Sequence, residues 1–554
     1  MKYISKLILC TLAVTIGVVG CDTKELHDLN INPQAVNQIN LNFLFTPAQL
    51  ATAAGGGSGD NRYTDWRTNI GMCSFAIQHL SNGGQGGIAP GDRYTDNFET
   101  AEAPFQFFYG DELLKTNEII KQTSAKGYDD GNKQNLKSAA RILRAFLFSR
   151  ATDYYGSVPY TEAIKASEGL FFPKYDKQKD IYTDLLKELD EACQDLAAGV
   201  AAGRGDEGFA AADLYYNGNI SKWQKWGYSL MLRLAMKISN VSATQANTYV
   251  GKAITGGVFA SNADNLWCPM AAGPSQWLNQ NGISRAFYPG DGGQPTFLSK
   301  TLIDYLKGAN AGSTADDDPR LMIFTSGIGT WGLVSGNSTF TPVAGGTDPL
   351  NQRGMPNGMD PSLLALPPEN VVSANIGITY SKINIKMLDL DDPYMLMNYG
   401  EVELLLAEAA ERGIGGATVP AAHFANGLKA SLQMYTPYDA SLAVSDATAA
   451  AYVAANPYAG GTAGITQIAT QLWVNHYLNW YEAWGDWRRY QSAANPNGLP
   501  ALTPVNYPGN VTNATIPVRL KYPTREVALN PNFSATATTP DQYTTKVWWA
   551  GGPE

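Results

Sequence analysis

Histidine is the scarcest chemistry-bearing residue in this chain. Four occur in 554 residues, at 27, 79, 423 and 476, and their spacing to one another and to cysteine makes no zinc site. His476 lies among aromatic residues at helical spacing, which reads as a packed core position. Cysteine is nearly as rare. Of the five, Cys10 and Cys21 fall in the N-terminal segment, leaving Cys73, Cys193 and Cys268, an odd remainder that implies no disulfide framework. Cys193 sits on an apolar helical stripe, where a free thiol behaves as a small hydrophobe. Charged residues make up only 16%, and the formal net charge is −10, so the chain lacks the basic face that nucleic-acid phosphates demand. Long apolar runs are also missing, since the longest, 7–19, is too short to span a bilayer as a stable helix. No G-x-S-x-G nucleophile elbow and no phosphate-loop G-K-[ST] occurs. GIGTWG, from Gly327 to Gly332, matches a dinucleotide fingerprint only on paper. That mechanism needs a helix N-terminus, and the following LVSGNSTFTPVAGG has no helical period.

What is present begins at the N-terminus. Lys2 and Lys6 precede the 7–19 run in the manner of an export signal, and Val18, Val19, Gly20 and Cys21 resemble the lipobox of bacterial lipoproteins. The expectation is cleavage before Cys21 and acylation of its thiol and new amino terminus, which takes the mature net charge to −12 by loss of the two lysines. Each buried methylene of an acyl chain adds about 0.8 kcal/mol, so several chains attach the protein to a membrane that it does not span. Residues 1–20 are thus a signal segment, 21–60 a lipidated tether with a short helix near 42–54, and 61–554 a single domain.

The strongest helical pattern is 133–160. Leu136, Ala140, Leu143, Leu147, Ala151 and Tyr154 form one stripe, and Gly156 and then Pro159 end it. At 1.5 Å per residue this helix is roughly 34 Å long. Ala139, Ile142, Phe146 and Phe148 widen the apolar surface, so neighbours are expected on at least two sides. Further helices are read at 63–80, at 111–126, from an Asp176 cap through Leu196, at 221–240, 295–307, 394–412 and 421–434, and as one long helix over 465–490. Between 256 and 392, Gly, Pro, Asn, Ser and Asp punctuate short apolar runs. The fold class is therefore mainly α: a tetratricopeptide-like stack of helix pairs, each burying a face against its neighbour, with a large loop-rich insertion containing a few short strands.

Several segments carry a family resemblance. Arg144, Ala145, Tyr154, Tyr155, Gly156, Val158, Pro159 and Tyr160 place an RA pair in a long helix before a V-P-Y turn. PKYDKQKDIYTDLLKELDEA, the DDPRL of 317–321, YGEVELLLAEAAERG, YEAWGDWRRYQ, the YPTREVALNP of 522–531 and the paired Trp548 and Trp549 follow in order. Together these resemble the SusD/RagB family of outer-membrane nutrient-binding lipoproteins, in its branch with a C-terminal paired Trp. The resemblance implies a protein that is not an enzyme. It implies a lipid-anchored outer-membrane protein facing the cell exterior, one that binds an oligosaccharide or peptide and passes it to a SusC-like TonB-dependent transporter.

Candidate ligand contacts come from aromatic residues in Gly- or Pro-rich surroundings. Trp66, Tyr94, Trp277, Tyr288 and Trp331 are expected to present rings to cargo, with Arg93, Asn97 and Gln276 adding hydrogen bonds. With 12 Trp and 29 Tyr in the chain, glycan is favoured over peptide. The stripe Trp473, Tyr477, Trp480, Trp484 and Trp487 is read instead as core. The acidic runs 316–318 and 389–392 are read as turns or a solvated rim rather than a hydrolytic carboxylate pair. No cofactor is expected beyond a structural Ca²⁺ held by such oxygens.

Overall fold

The computed structural model describes residues 38–54, 62–83, 89–273, 279–288, 296–310, 312–491, 502–533 and 537–554. The signal segment, Cys21, Gln276 and Trp277 lie outside them. The α-helices of ten residues or more are α1 (Asn42–Ala54), α2 (Phe98–Phe107), α3 (Leu113–Gln122), α4 (Gln134–Tyr155), α5 (Gln178–Ala202) and α6 (Ile220–Lys237) in the first half. They continue as α7 (Ala243–Gly256), α8 (Tyr399–Glu411), α9 (Pro420–Leu432), α10 (Asp446–Ala455), α11 (Gly461–Asn475) and α12 (Trp480–Tyr490). Successive helices pack pairwise from α3 through α7, α8 packs on α9 and α11, and α6 joins the two groups through α8. This is the expected mainly α helix-pair stack. None of the described helices is long and apolar enough to cross a membrane.

The stripe of α4 is buried end to end, with Leu136, Leu143, Leu147 and Ala151 at 0% exposure, each worth on the order of 1.5–3 kcal/mol when the side chain is large. Gly156 ends the helix at φ +85, where a Cβ would stand 2.2 Å from Thr538 Oγ1. Asp176 does not cap α5, whose N-cap is Lys177. Its carboxylate instead accepts the amides of Tyr160 and Thr161 at 3.0 and 2.8 Å, holding the V-P-Y turn against the next helix.

Three further expectations are corrected. Residues 394–397 are a strand and not the start of a helix; α8 begins at Tyr399, where Asn398 accepts the amide of Glu401. The 465–490 segment is two helices, because Leu478 adopts φ 73 and its carbonyl is taken by Asn69 at 3.3 Å. The 63–80 helix is mostly wide-turned, a π-helix over Asp65–Ser74. Cys73, Cys193 and Cys268 are free and buried.

The strands are short: β1 (Leu80–Ser81), β2 (Val158–Pro159), β3 (Tyr175–Asp176), β4 (Leu266–Cys268), β5 (Phe297–Leu298), β6 (Thr325–Gly332), β7 (Thr339–Pro342), β8 (Ser381–Ile383) and β9 (Tyr394–Met397). β1 pairs with β5, and β6 lies between β7 and β8, every pairing antiparallel. GIGTWG is thus strand, not a phosphate loop.

Candidate functional site

Two surfaces stand out. The first is a strip of alternating rings and cations built on β5, β6 and β8. Phe287 meets Trp331 edge-on at 6.1 Å. The Lys382 ammonium lies 5.2 Å from the Trp331 ring centroid and 4.4 Å from that of Phe297. Phe297 packs on Tyr380 at 6.0 Å, and the Arg353 guanidinium covers Tyr380 at 5.1 Å. Phe287, Phe297 and Tyr380 are buried. Trp331 alone among these rings is half-buried, so it is the ring that keeps accessible surface.

Two donors in the strip have no acceptor among the described residues. Trp331 Nε1 is buried without a hydrogen-bond partner. Lys382, 8% exposed, has no carboxylate within ion-pair distance among the described residues, and burial between the rings lowers its ammonium to about 8. Arg353 is different, since it pairs with Glu369 at 2.5 Å.

The second surface is a cleft of about 630 Å³ lined by Gln78, Lys300, Thr301, Asn357, Thr503 and Asn506 among others. Its amides are mostly occupied by its own walls: Gln78 donates to the Thr503 carbonyl at 2.5 Å, and Asn357 to Leu80 and Asp92 at 2.8 Å each. Arg93 borders this cleft, donating to the Met359 carbonyl at 2.9 Å and stacking on Tyr507 at 4.8 Å.

The residues picked from sequence are therefore dispersed. Trp331 is in the strip, and Tyr288 adjoins it, buried with its hydroxyl 3.3 Å from Ser338. Tyr94 is 1% exposed at φ 56, a core ring that closes a short helical turn. Asn97 caps α2 by accepting the Thr100 amide at 3.0 Å. Trp66 lies on the π-helix under the Arg67 guanidinium, 4.2 Å away. Lys382 and Phe297 escaped sequence reading. A lone lysine in a short strand reads as solvated, and nothing local says that two rings 51 and 85 residues upstream close over it.

The acidic runs are structural where described. Asp318 pairs with the fully buried Arg320 at 2.6 Å. Asp392 is buried, and burial together with the charges of Asp389, Asp391 and Asp439 raises it to about 8. Among the described residues no three His, Cys, Asp or Glu side chains gather as a metal site.

Against known proteins, a family model described as starch-binding and associating with the outer membrane matches residues 33–523. A search of curated proteins finds no match. Among solved structures, a chitin-binding protein is 32% identical, with 92% of this chain and 100% of that one covered at a TM-score of 0.73. A Bacteroidetes SusD-like protein is 24% identical over 92% and 100% at 0.74. A chitin-binding SusD homologue from Flavobacterium johnsoniae is 19% identical over 93% and 99% at 0.68; the last two establish the fold alone. A helix-pair stack with short strands between its two groups of helices, together with a match spanning residues 33–523, leaves one conclusion: the chain belongs to the SusD-like family.

Proposed function

We propose that this protein is a lipid-anchored outer-membrane protein that captures a chitin-type oligosaccharide and hands it to a SusC-like TonB-dependent transporter. The observation that carries the cargo class is the half-buried Trp331 ring beside an ammonium with no acid partner among the described residues. A flat ring takes the apolar face of a sugar, and donors without acceptors suit a ligand rich in oxygen. The 32% identity to a chitin-binding protein over 92% of the chain supports the same cargo. Capture followed by release fits micromolar to millimolar dissociation constants, about −8 to −4 kcal/mol.

Binding is the whole of the proposed mechanism. The helical stack fixes the strip, the strip holds the ring and donors, and Gln276 and Trp277 are proposed to complete the contact. Anchoring through Cys21 keeps the captured chain at the membrane surface.

Two measurements test this reading. Calorimetry with N-acetylglucosamine oligomers and a peptide panel should give binding to the oligomers and none to the peptides. Purification from outer membranes should bring down a large β-barrel. Peptide binding without oligosaccharide binding would overturn the cargo, and recovery of the protein alone would overturn the transporter role.

A further inference from the structure

We infer that Lys382 is a specificity-determining residue: its ammonium donates to the acetamido carbonyl of a sugar stacked on Trp331, so that the site selects N-acetylated over unsubstituted or de-N-acetylated chains. This rests on the glycan reading and deepens it. The strip offers three observations in its favour. Lys382 Nζ stands 5.2 Å from the Trp331 centroid, close enough for one sugar ring to touch both. The rings of Phe297 and Trp331 hold the side chain, and no hydrogen bond or ion pair among the described residues uses its three N–H groups. Trp331 is itself half-buried, so the ring beside the ammonium keeps accessible surface. An ammonium without an acceptor among the described residues calls for a ligand that supplies an acceptor oxygen.

Charge then chooses among glycans. A de-N-acetylated glucosamine carries an ammonium that Lys382 repels, whereas an acetyl carbonyl accepts a charge-assisted hydrogen bond. A plain glucan has neither feature. The groups packed on the ammonium are the uncharged rings of Phe297 and Trp331, and the cation farther along the strip, Arg353, is paired with Glu369. Burial lowers the Lys382 ammonium to about 8, so its charge is lost in an accessible pH range.

The test uses calorimetry on the full-length mature protein with three hexamers: of N-acetylglucosamine, of glucosamine, and of glucose in β-1,4 linkage. At pH 6.5 the wild type should favour the N-acetylated hexamer about tenfold or more over either of the others, the size of one charge-assisted hydrogen bond. Lys382→Met should bring the ratio to the glucose hexamer within about threefold, while Trp331→Ala should weaken all three alike. Raising the pH from 6.5 to 9.5 should weaken N-acetylated binding several-fold in the wild type and leave Lys382→Arg flat, because guanidinium stays charged. Unchanged thermal midpoints for the arginine variant confirm that the fold is intact. A Lys382→Met protein that keeps the full preference overturns the assignment. Wild-type binding to all three hexamers without preference overturns it and leaves the glycan reading standing, whereas binding to none overturns both.

Discussion

The indole N–H of Trp549 donates to Asp153 Oδ1 at 2.7 Å, tying the last turn of the chain to the middle of the stack. The same oxygen accepts from Tyr182 at 2.5 Å, and the other faces Lys237 at 2.7 Å. Lys237 and Arg233 then reach Glu482, each at 3.3 Å, and Arg233 holds Glu401 at 2.5 Å. Every member of this network is at least nine-tenths buried. Buried ions are kept because each is paired, so the network locks α4, α6, α8 and α12 in one arrangement.

Removing one partner should cost far more than removing both. Asp153→Ala leaves the Lys237 charge buried and half-paired, and a loss of about 3–5 kcal/mol is expected. Adding Lys237→Met should restore at least half of it, since an apolar side chain of similar volume does not need the acid. Denaturant midpoints of the two variants and the wild type check this. A double variant no more stable than Asp153→Ala would sink the explanation.

His476 makes stability depend on alkaline pH. It sits 3.2 Å from Glu401 and 3.1 Å from Asp486. Burial alone pulls its pKa down, but the two carboxylates outweigh burial and raise it to about 9. A folded value above the unfolded 6.5 means that the stabilisation is complete below pH 6.5 and is lost as pH rises through 9. Asp65 and Glu112, raised by burial to about 7 and 8, act in the same direction, so the informative quantity is a difference. His476→Gln should remove up to about 3 kcal/mol of the wild-type decline between pH 6.5 and 9.5. Parallel stability curves for the two proteins would rule this out.

Gly227 lies where α6 packs tightly on α5 and α4. A Cβ there would meet Cys193 Sγ at 2.3 Å and Ile142 Cδ1 at 2.9 Å. Helix propensity favours alanine by about 1 kcal/mol, and the clash is expected to win, giving net destabilisation of about 1–3 kcal/mol. Combining Gly227→Ala with Cys193→Ala should recover part of the loss, a coupling that a double-mutant cycle in denaturant reads directly.

Much of this fold was legible because helices bury stripes that a single sequence displays. α4 was readable to within a residue at each end, and the Trp473 to Trp487 aromatics are the core that their spacing implied. The break at Leu478 was not readable. A leucine there continues the pattern, and the interruption is imposed from outside by Asn69, 409 residues away in the chain. Asp176 looked like a helix cap for the same reason: its true partners lie 15 and 16 residues upstream. Site residues were harder still. Aromatics in Gly-rich stretches are of two kinds, those that face outward and those that pin the loop inward. Tyr94 and Tyr288 are of the second kind, and only the packing of distant strands separates them from Trp331.

The strip and the cleft make opposite claims about where cargo sits, and two side chains distinguish them. Arg93 borders the cleft, and its guanidinium is already engaged by Met359 and Tyr507, whose hydroxyl donates to Asp360 at 2.9 Å. Trp331 is half-buried, and the cation over its ring, Lys382, has no carboxylate partner among the described residues. Trp331→Ala should therefore weaken N-acetylglucosamine hexamer binding by about tenfold or more, as one lost sugar–ring contact of 1.5 kcal/mol requires at about 1.4 kcal/mol per decade. Arg93→Met should change affinity less than about twofold and lower the thermal midpoint instead, because it breaks a stack of about 0.5–1 kcal/mol between the wall and Tyr507. Calorimetry paired with thermal unfolding of both variants gives the answer. The reverse pattern, with Arg93 governing affinity and Trp331 silent, would move the cargo to the cleft and remove Lys382 from the site with it.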